Sequence, residues 1–322
     1  MAQTRVESPP ALRGATVRMG DRAFRGASRL AGLVVLVVLG AIAVFLVWQS
    51  LPGLRANTAN FFTTKSWFPD QSPSVFGIAA IAFGTAMTAV LAMVVAVPVG
   101  VGVALFIAFY APRRIATVLG FVVDLLAAVP SIIFGLWGLQ VLMPRLVGLQ
   151  KWLNDHLGFI PLFHNSLGIY TKSLFVASVV LGVMVLPTVS ALSREIFLKV
   201  PGANIEAAQA LGATRWETMR LAVLPFSRPG MISAAMLGLG RALGETIAVA
   251  LILSALNVIN WHVTEPGGNT FAANIALGWN EAGPTGLSAL IASGLVLFVI
   301  TLLVNVSARW IIWRRAEFHE GQ

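Results

Sequence analysis

The sequence predicts an all-α integral membrane protein: six transmembrane helices, both termini cytoplasmic, and a helix–turn–helix coupling loop presented in the cytoplasm. Composition, the number of long apolar runs and the sidedness of the basic residues lead to it. Of 322 residues, 57% are hydrophobic and 11% charged, against roughly 45–50% and 25% in an average soluble domain. A soluble globule is excluded. The chain has no cysteine, and its 4 histidines (His156, His164, His262 and His319) are irregularly spaced. Disulfide scaffolds, thiol nucleophiles, thiolate zinc sites and a histidine metal cage are therefore not expected.

A bilayer needs about 20 apolar residues per helix. Runs of that kind lie at Leu30–Trp48, Phe76–Tyr110, Ile115–Met143, Ser173–Leu192, Met231–Leu256 and Leu287–Arg309. The second and third exceed the minimum, so they are tilted or broken, with Pro98 and Pro130 as the natural kinks. This divides the chain into a tail over 1–29, a six-helix membrane domain over 30–310 and a second tail over 311–322.

The segments that share a side with the N-terminus hold six arginines from Arg5 to Arg29, then Arg113 and Arg114, then Arg194, Lys199, Arg215, Arg220 and Arg228, then Arg309, Arg314 and Arg315. The opposite segments hold only Arg55, Lys65, Arg145, Lys151 and Lys172. This asymmetry places both termini on the cytoplasmic side of the membrane. It also accounts for the net charge of +9 without nucleic acid. The first apolar run lacks a polar cleavage region after it, so it reads as an uncleaved span.

The outside loops 51–75 and 259–286 are rich in Pro, Gly, Asn and Trp, with Trp67, Phe68, Trp261 and Trp279 as interfacial anchors. In loop 144–172, Val147, Leu149, Trp152, Leu153 and Leu157 among polar residues suggest a short helix on the membrane surface. No internal repeat and no G-x-x-x-x-G-K-[ST] occur, so any nucleotide hydrolysis belongs to a partner.

The longest inside loop, 193–228, has helical grammar. Pro201 can open a helix, and Gly212 can end it in the left-handed conformation. Thr214 and Glu217 form a T-x-x-E capping box for a second helix, which Leu224-Pro225 would stop. The loop's pattern, EAA-x3-G followed by x11 and LP, resembles the signature loop of ABC importer permeases, with Glu206, Ala207, Ala208, Gly212, Leu224 and Pro225 as the matching residues. Ala222 departs from the isoleucine usual in that family. The resemblance implies that the loop docks into a separate ATPase, with Thr214 and Glu217 shaping the elbow.

Asp124, Arg241 and Glu245 are the ionisable residues well inside the apolar runs, and a charge at that depth costs about 2.5–3.5 kcal/mol on insertion scales. Ala234, Gly238, Arg241, Glu245 and Ala248 would share one helical stripe, beside Gly240-x-x-x-Gly244, which would let another helix approach closely. Gly120, Asp124, Ala127, Ala128, Ser131 and Gly135 make a second stripe. Arg241 and Glu245, four apart, either pair with each other as helix glue, or the Arg meets an oxyanion in a water-filled path while Glu245 holds it in place. For Asp124, a packing hydrogen bond and a place in the path or its gate both stand open.

The segments 20–26, 128–139, 206–217 and 236–249 extend the resemblance over most of the chain, to the PstC family of permease subunits of phosphate-specific ABC importers. The run G-R-A-L-G-E-T is shared with the sister PstA permeases. The resemblance implies that Arg241 and Glu245 serve phosphate passage. It implies as partners a homologous PstA-type permease, a cytoplasmic ATPase dimer of PstB type that binds ATP and Mg, and an extracytoplasmic phosphate-binding protein of PstS type. No cofactor is expected in this chain, which is then not itself an enzyme. A secondary anion carrier, or an ABC permease for another oxyanion, is the alternative. A carrier usually shows internal repeats, and a membrane enzyme would need a cluster of titratable groups near one surface.

Overall fold

The computed structural model describes residues 19–316, with side chains over residues 23–310. Arg5, Arg13 and Arg18, the side chain of Arg22 and the arginines at 314 and 315 therefore lie outside the described residues, as do most of the two tails. The chain forms two compact units that divide after Trp48. The first is the leading part of helix α1, Met19–Ala56. Its apolar stretch carries no acidic residue and is long enough to cross a membrane.

The second unit holds eleven further helices and a hairpin. The hairpin strands β1 (Trp67–Phe68) and β2 (Val75–Phe76) pair antiparallel, Trp67 opposite Phe76. Helix α2 (Ala79–Leu105) continues through a π-helical turn at Phe106–Tyr110. Next come α3 (Arg113–Ala127), α4 (Ser131–Trp137), α5 (Met143–Leu157), α6 (Leu174–Phe197), α7 (Gly202–Ala210) and α8 (Arg215–Thr218). The chain ends with α9 (Leu224–Leu243), α10 (Ile247–Ile252), α11 (Phe271–Gly278) and α12 (Pro284–Ala316). Among the described residues six helical stretches are long and apolar enough to span: Ala23–Ala56, Ala79–Tyr110, Ser131–Leu157, Leu174–Phe197, Arg215–Leu243 and Pro284–Trp310.

Helix α6 is the centre of the core. Ala89, Ala92 and Ala96 of α2 are buried in one cluster with Val180, Leu181, Met184, Val185 and Val189 of α6. Small residues let these backbones approach closely, which is how helices gain packing where lipid removes a hydrophobic incentive. A Cβ on Gly100 would lie 3.1 Å from Val189, and one on Gly182 3.3 Å from the Ala92 carbonyl. Ser190 crosses the same seam, its hydroxyl donating to the Gly100 carbonyl at 3.0 Å. At the far end of the bundle Asp70 accepts from the amides of Gly283 (2.9 Å) and Gly286 (2.7 Å), capping α12 from the first loop.

Three features differ from the sequence expectation. The third apolar run is not one span: α3 ends at Ala127 and Pro130 opens α4, and the spanning stretch is Ser131–Leu157. The residues Val147, Leu149, Trp152, Leu153 and Leu157 lie on α5, which continues from α4 through a π turn at Gly138–Leu142. With 15 residues, α3 reaches only about 22 Å at 1.5 Å per residue. The helix of the fifth apolar run starts and ends earlier than Met231–Leu256, with α9 at Leu224–Leu243. Leu224-Pro225 does not stop a helix, because the π turn Met219–Val223 leads straight into α9 with Pro225 in its first turn, where its missing N–H costs nothing. Among the anchors, Trp67 packs edge-on against Phe76 at 5.6 Å and Trp261 against Phe83 at 5.0 Å.

Candidate functional site

Helices α7 and α8 meet at the elbow that the loop grammar describes. Gly212 has φ +84°, the left-handed region that suits glycine. The Gly212 amide donates to the Gln209 carbonyl at 2.9 Å and the Ala213 amide to the Ala208 carbonyl at 3.1 Å, closing α7. The capping box is complete: the Thr214 amide donates to Glu217 Oε2 at 2.8 Å, and the Glu217 amide donates to Thr214 Oγ1 at 3.3 Å.

Ile205 of α7 packs against Phe197, Met219 and Val223 in a small core that also takes in Ala104 of α2, so the elbow is fixed to the ends of α2 and α6. Its outer side is a groove of about 740 Å³ lined by Ala207, Ala208, Gly212, Glu217, Leu221 and Pro225, among others. Leu211 on its rim is 90% exposed, and Glu206 is exposed beside it. This is a shape with small residues on its floor and apolar side chains unpartnered in the chain alone.

Arg241 and Glu245 are not paired. Helix α9 closes at Gly244, whose amide donates to the Gly240 carbonyl at 3.2 Å, and glycine is a poor helix former. Glu245, only 8% exposed, turns toward α10 and accepts from the Ala248 amide at 3.3 Å. It is a cap for the next helix, not a clamp on the arginine. Arg241 instead donates to the Thr188 hydroxyl of α6 at 3.0 Å and to the Ala127 carbonyl, the last residue of α3, at 3.5 Å. Among the described residues no carboxylate stands within ion-pair distance of it.

Asp124 lies on α3, and its side chain is 51% exposed in a 3.1 Å ion pair with Arg194 of α6. Arg194 passes over α3 where Gly120 leaves room: a Cβ there would lie 2.1 Å from its Nη1. Two arginines, Arg241 of α9 and Arg194 of α6, thus converge on the C-terminal half of α3. The stripes are broken accordingly. Gly238 meets Val185 and Val189 of α6 closely, whereas Gly240 faces open space within this chain. Gly135 of α4 approaches Ala248 of α10.

Thr188 and Arg194 carry no signal in the sequence beyond their types. Arg194 reads only as one more inside charge. The sequence also hides a polar knot between the loops 158–173 and 253–270. The Glu265 carboxylate, 7% exposed, accepts from the Ser166 amide (2.8 Å) and hydroxyl (2.7 Å) and from Asn260, with His262 Nδ1 at 3.3 Å. Burial pushes its pKa up, but the bonds from Ser166 and Asn260 and the His262 ring outweigh that and hold it below the ordinary value of 4.5. Asn165 adds bonds to the Ile169 and Thr264 carbonyls, each at 3.1 Å.

Residues 96–316 match the family described as binding-protein-dependent transport system inner membrane component. Among curated relatives, a "Phosphate transport system permease protein PstC 2" of Mycobacterium tuberculosis is 48% identical over 299 residues, covering 91% of each chain. A "Phosphate transport system permease protein PstC" of Mycobacterium leprae is 45% identical over 307 residues, covering 94% of this chain and 96% of that one. Among solved structures, an inward-facing MetNI methionine ABC transporter chain aligns with TM-score 0.51 at 18% identity, covering 74% of this chain and 94% of that one. This last likeness is one of fold.

Proposed function

The chain belongs to the inner-membrane components of binding-protein-dependent transport systems, within the PstC phosphate permeases, and from that premise we propose how its residues carry the anion and take up the push. It is a multi-pass permease subunit of an ABC importer for phosphate, in the bacterial inner membrane. The permease-subunit role is one of transport, not catalysis. ATP hydrolysis falls to a cytoplasmic ATPase dimer, which supplies its own ATP and Mg sites. A homologous permease completes the path, and an extracytoplasmic phosphate-binding protein delivers the ion.

The observation that carries the path is the state of Arg241. Its guanidinium is held by a hydroxyl and a carbonyl, so its charge is oriented but not cancelled. An arginine in that state can exchange neutral partners for phosphate oxygens and offset part of the hydration that the anion loses. Thr188 is then a second hydrogen-bonding group beside it. Glu245 caps α10 next to Arg241 and leaves the arginine without a carboxylate partner.

Glu206, Ala207, Ala208, Gly212, Thr214 and Glu217 form the coupling surface. The groove accepts an element of the ATPase, and the core around Phe197 and Ile205 passes its motion to α2 and α6. Both termini and the elbow face the cytoplasm on this reading. A complex purified through this chain, reconstituted with the phosphate-binding protein outside, should show ATPase activity that rises with phosphate and falls to its basal rate without the binding protein. A lipid-reconstituted chain that moves phosphate without any ATPase would support an ion-coupled carrier in its place.

A further inference from the structure

A second charged hollow lies away from Arg241, where α2, α3 and α6 come together at the end of the bundle that bears the elbow. It measures about 420 Å³, and its lining includes Ile107 and Ala108 of the π turn after α2, Arg113 and Thr117 of α3, and Arg194 and Leu198 from the end of α6 and just past it. Two guanidinium groups thus share one mouth with an apolar floor and no carboxylate in the lining. Arg194 reaches Asp124 through Nη2 alone, at 3.1 and 3.4 Å, and an arginine has five N–H donors. Its other nitrogens make no hydrogen bond among the described residues, and Arg113 is exposed with no ion-pair partner among them.

The apolar surroundings settle what kind of anion fits. Leu198 in the lining is 64% exposed, and Ile107, Ala108, Ala111 and Ala116 complete an apolar wall. A free oxyanion would gain nothing from these surfaces. An amphiphile would cover them with its chains while its phosphate met the two arginines. Basic hollows between membrane helices on the cytoplasmic side are of the kind that holds anionic lipid headgroups, and the hollow sits at the ends of two spanning helices, Ala79–Tyr110 and Leu174–Phe197. We propose that this groove binds the headgroup of an anionic phospholipid, with Arg113 and Arg194 on its phosphate and its acyl chains leaving over Leu198.

Such a lipid would sit against the Arg194–Asp124 pair, and so against α3, whose last residue accepts from Arg241. The test is lipid retention by the full-length protein in detergent, read by native mass spectrometry with phosphatidylglycerol and phosphatidylcholine in turn. Wild type should retain phosphatidylglycerol preferentially. Arg113→Gln should lower that retention about five-fold, the effect of one basic residue at a membrane surface, and Arg113→Lys should largely preserve it. Ala116→Phe, which fills the groove with its charges intact, should lower it as well, whereas Arg145→Gln on α5 should not.

Equal retention of the two lipids, or Arg113→Gln binding phosphatidylglycerol as wild type does, overturns the proposal. So does displacement of the lipid by millimolar inorganic phosphate, which would mark the groove as a free-anion site. The readout is lipid binding, not uptake, so it stands or falls separately from the transport reading.

Discussion

Gly212 shows how much can depend on one dihedral angle. At φ +84° a Cβ would meet nothing within 4 Å in this chain, so within the chain Gly212→Val changes conformational preference and little else, while it adds bulk to the groove. An L-residue in the left-handed region costs roughly 1–2 kcal/mol, enough to swing α7 out of line with α8. Uptake should be lost while the chain still inserts, and pull-down should show weakened ATPase association. Glu206→Ala should act more mildly, since one exposed charge contact contributes about 0.2–1 kcal/mol.

Glu265 makes a different residue-level statement. Its pKa is lower in the folded chain than the ordinary 4.5, so the carboxylate contributes stability at pH values above 4.5 that is lost as pH falls toward the folded-state value. Melting curves of wild type and Glu265→Gln should differ by about 2–4 °C near pH 7. The gap should close as pH drops below the carboxylate range. A gap that widens in acid would mean that the knot draws its strength elsewhere.

At the level of elements, the elbow was legible because its signals are local. Gly212, Thr214 and Glu217 each act on backbone groups within a few residues. The breaks in the long apolar runs were only half legible. Pro130 does mark a break, opening α4, but Pro98 and Pro187 lie inside helices and Pro225 in the first turn of α9, and a π turn upstream of Pro225 is invisible to residue spacing. The end of α9 at Gly244 was hidden for a related reason. Glu245 bonds the Ala248 amide, so an i, i+4 spacing that suits an ion pair is spent on a cap. The partners of Arg241 and Asp124 come from other elements, α3 and α6, and spacing along one helix carries no information about them.

For the whole molecule, six spanning stretches and the charge asymmetry make a sided arrangement that can be checked directly. Reporters fused after Trp67 or Trp261 should be extracytoplasmic, and those after Lys199 or at Gln322 cytoplasmic. A cytoplasmic reading after Trp261 would remove the polar knot of Glu265 from the outer face, and an outer reading after Lys199 would remove the elbow from reach of any ATPase.

The whole account rests on an oriented, uncancelled arginine between α9, α6 and α3. Pairing with Glu245 would have made its charge dispensable, but Arg241 bonds Thr188 and the Ala127 carbonyl instead. The most direct test is phosphate uptake by Arg241→Gln and Arg241→Lys in cells lacking other phosphate systems, with complex levels checked by pull-down. Arg241→Gln should assemble with its ATPase and yet fail to move phosphate, while Arg241→Lys, which keeps the charge but loses the planar fork, should retain part of the activity. Near-normal uptake by an assembled Arg241→Gln complex would contradict the account and leave Arg241 as a structural tie between three helices.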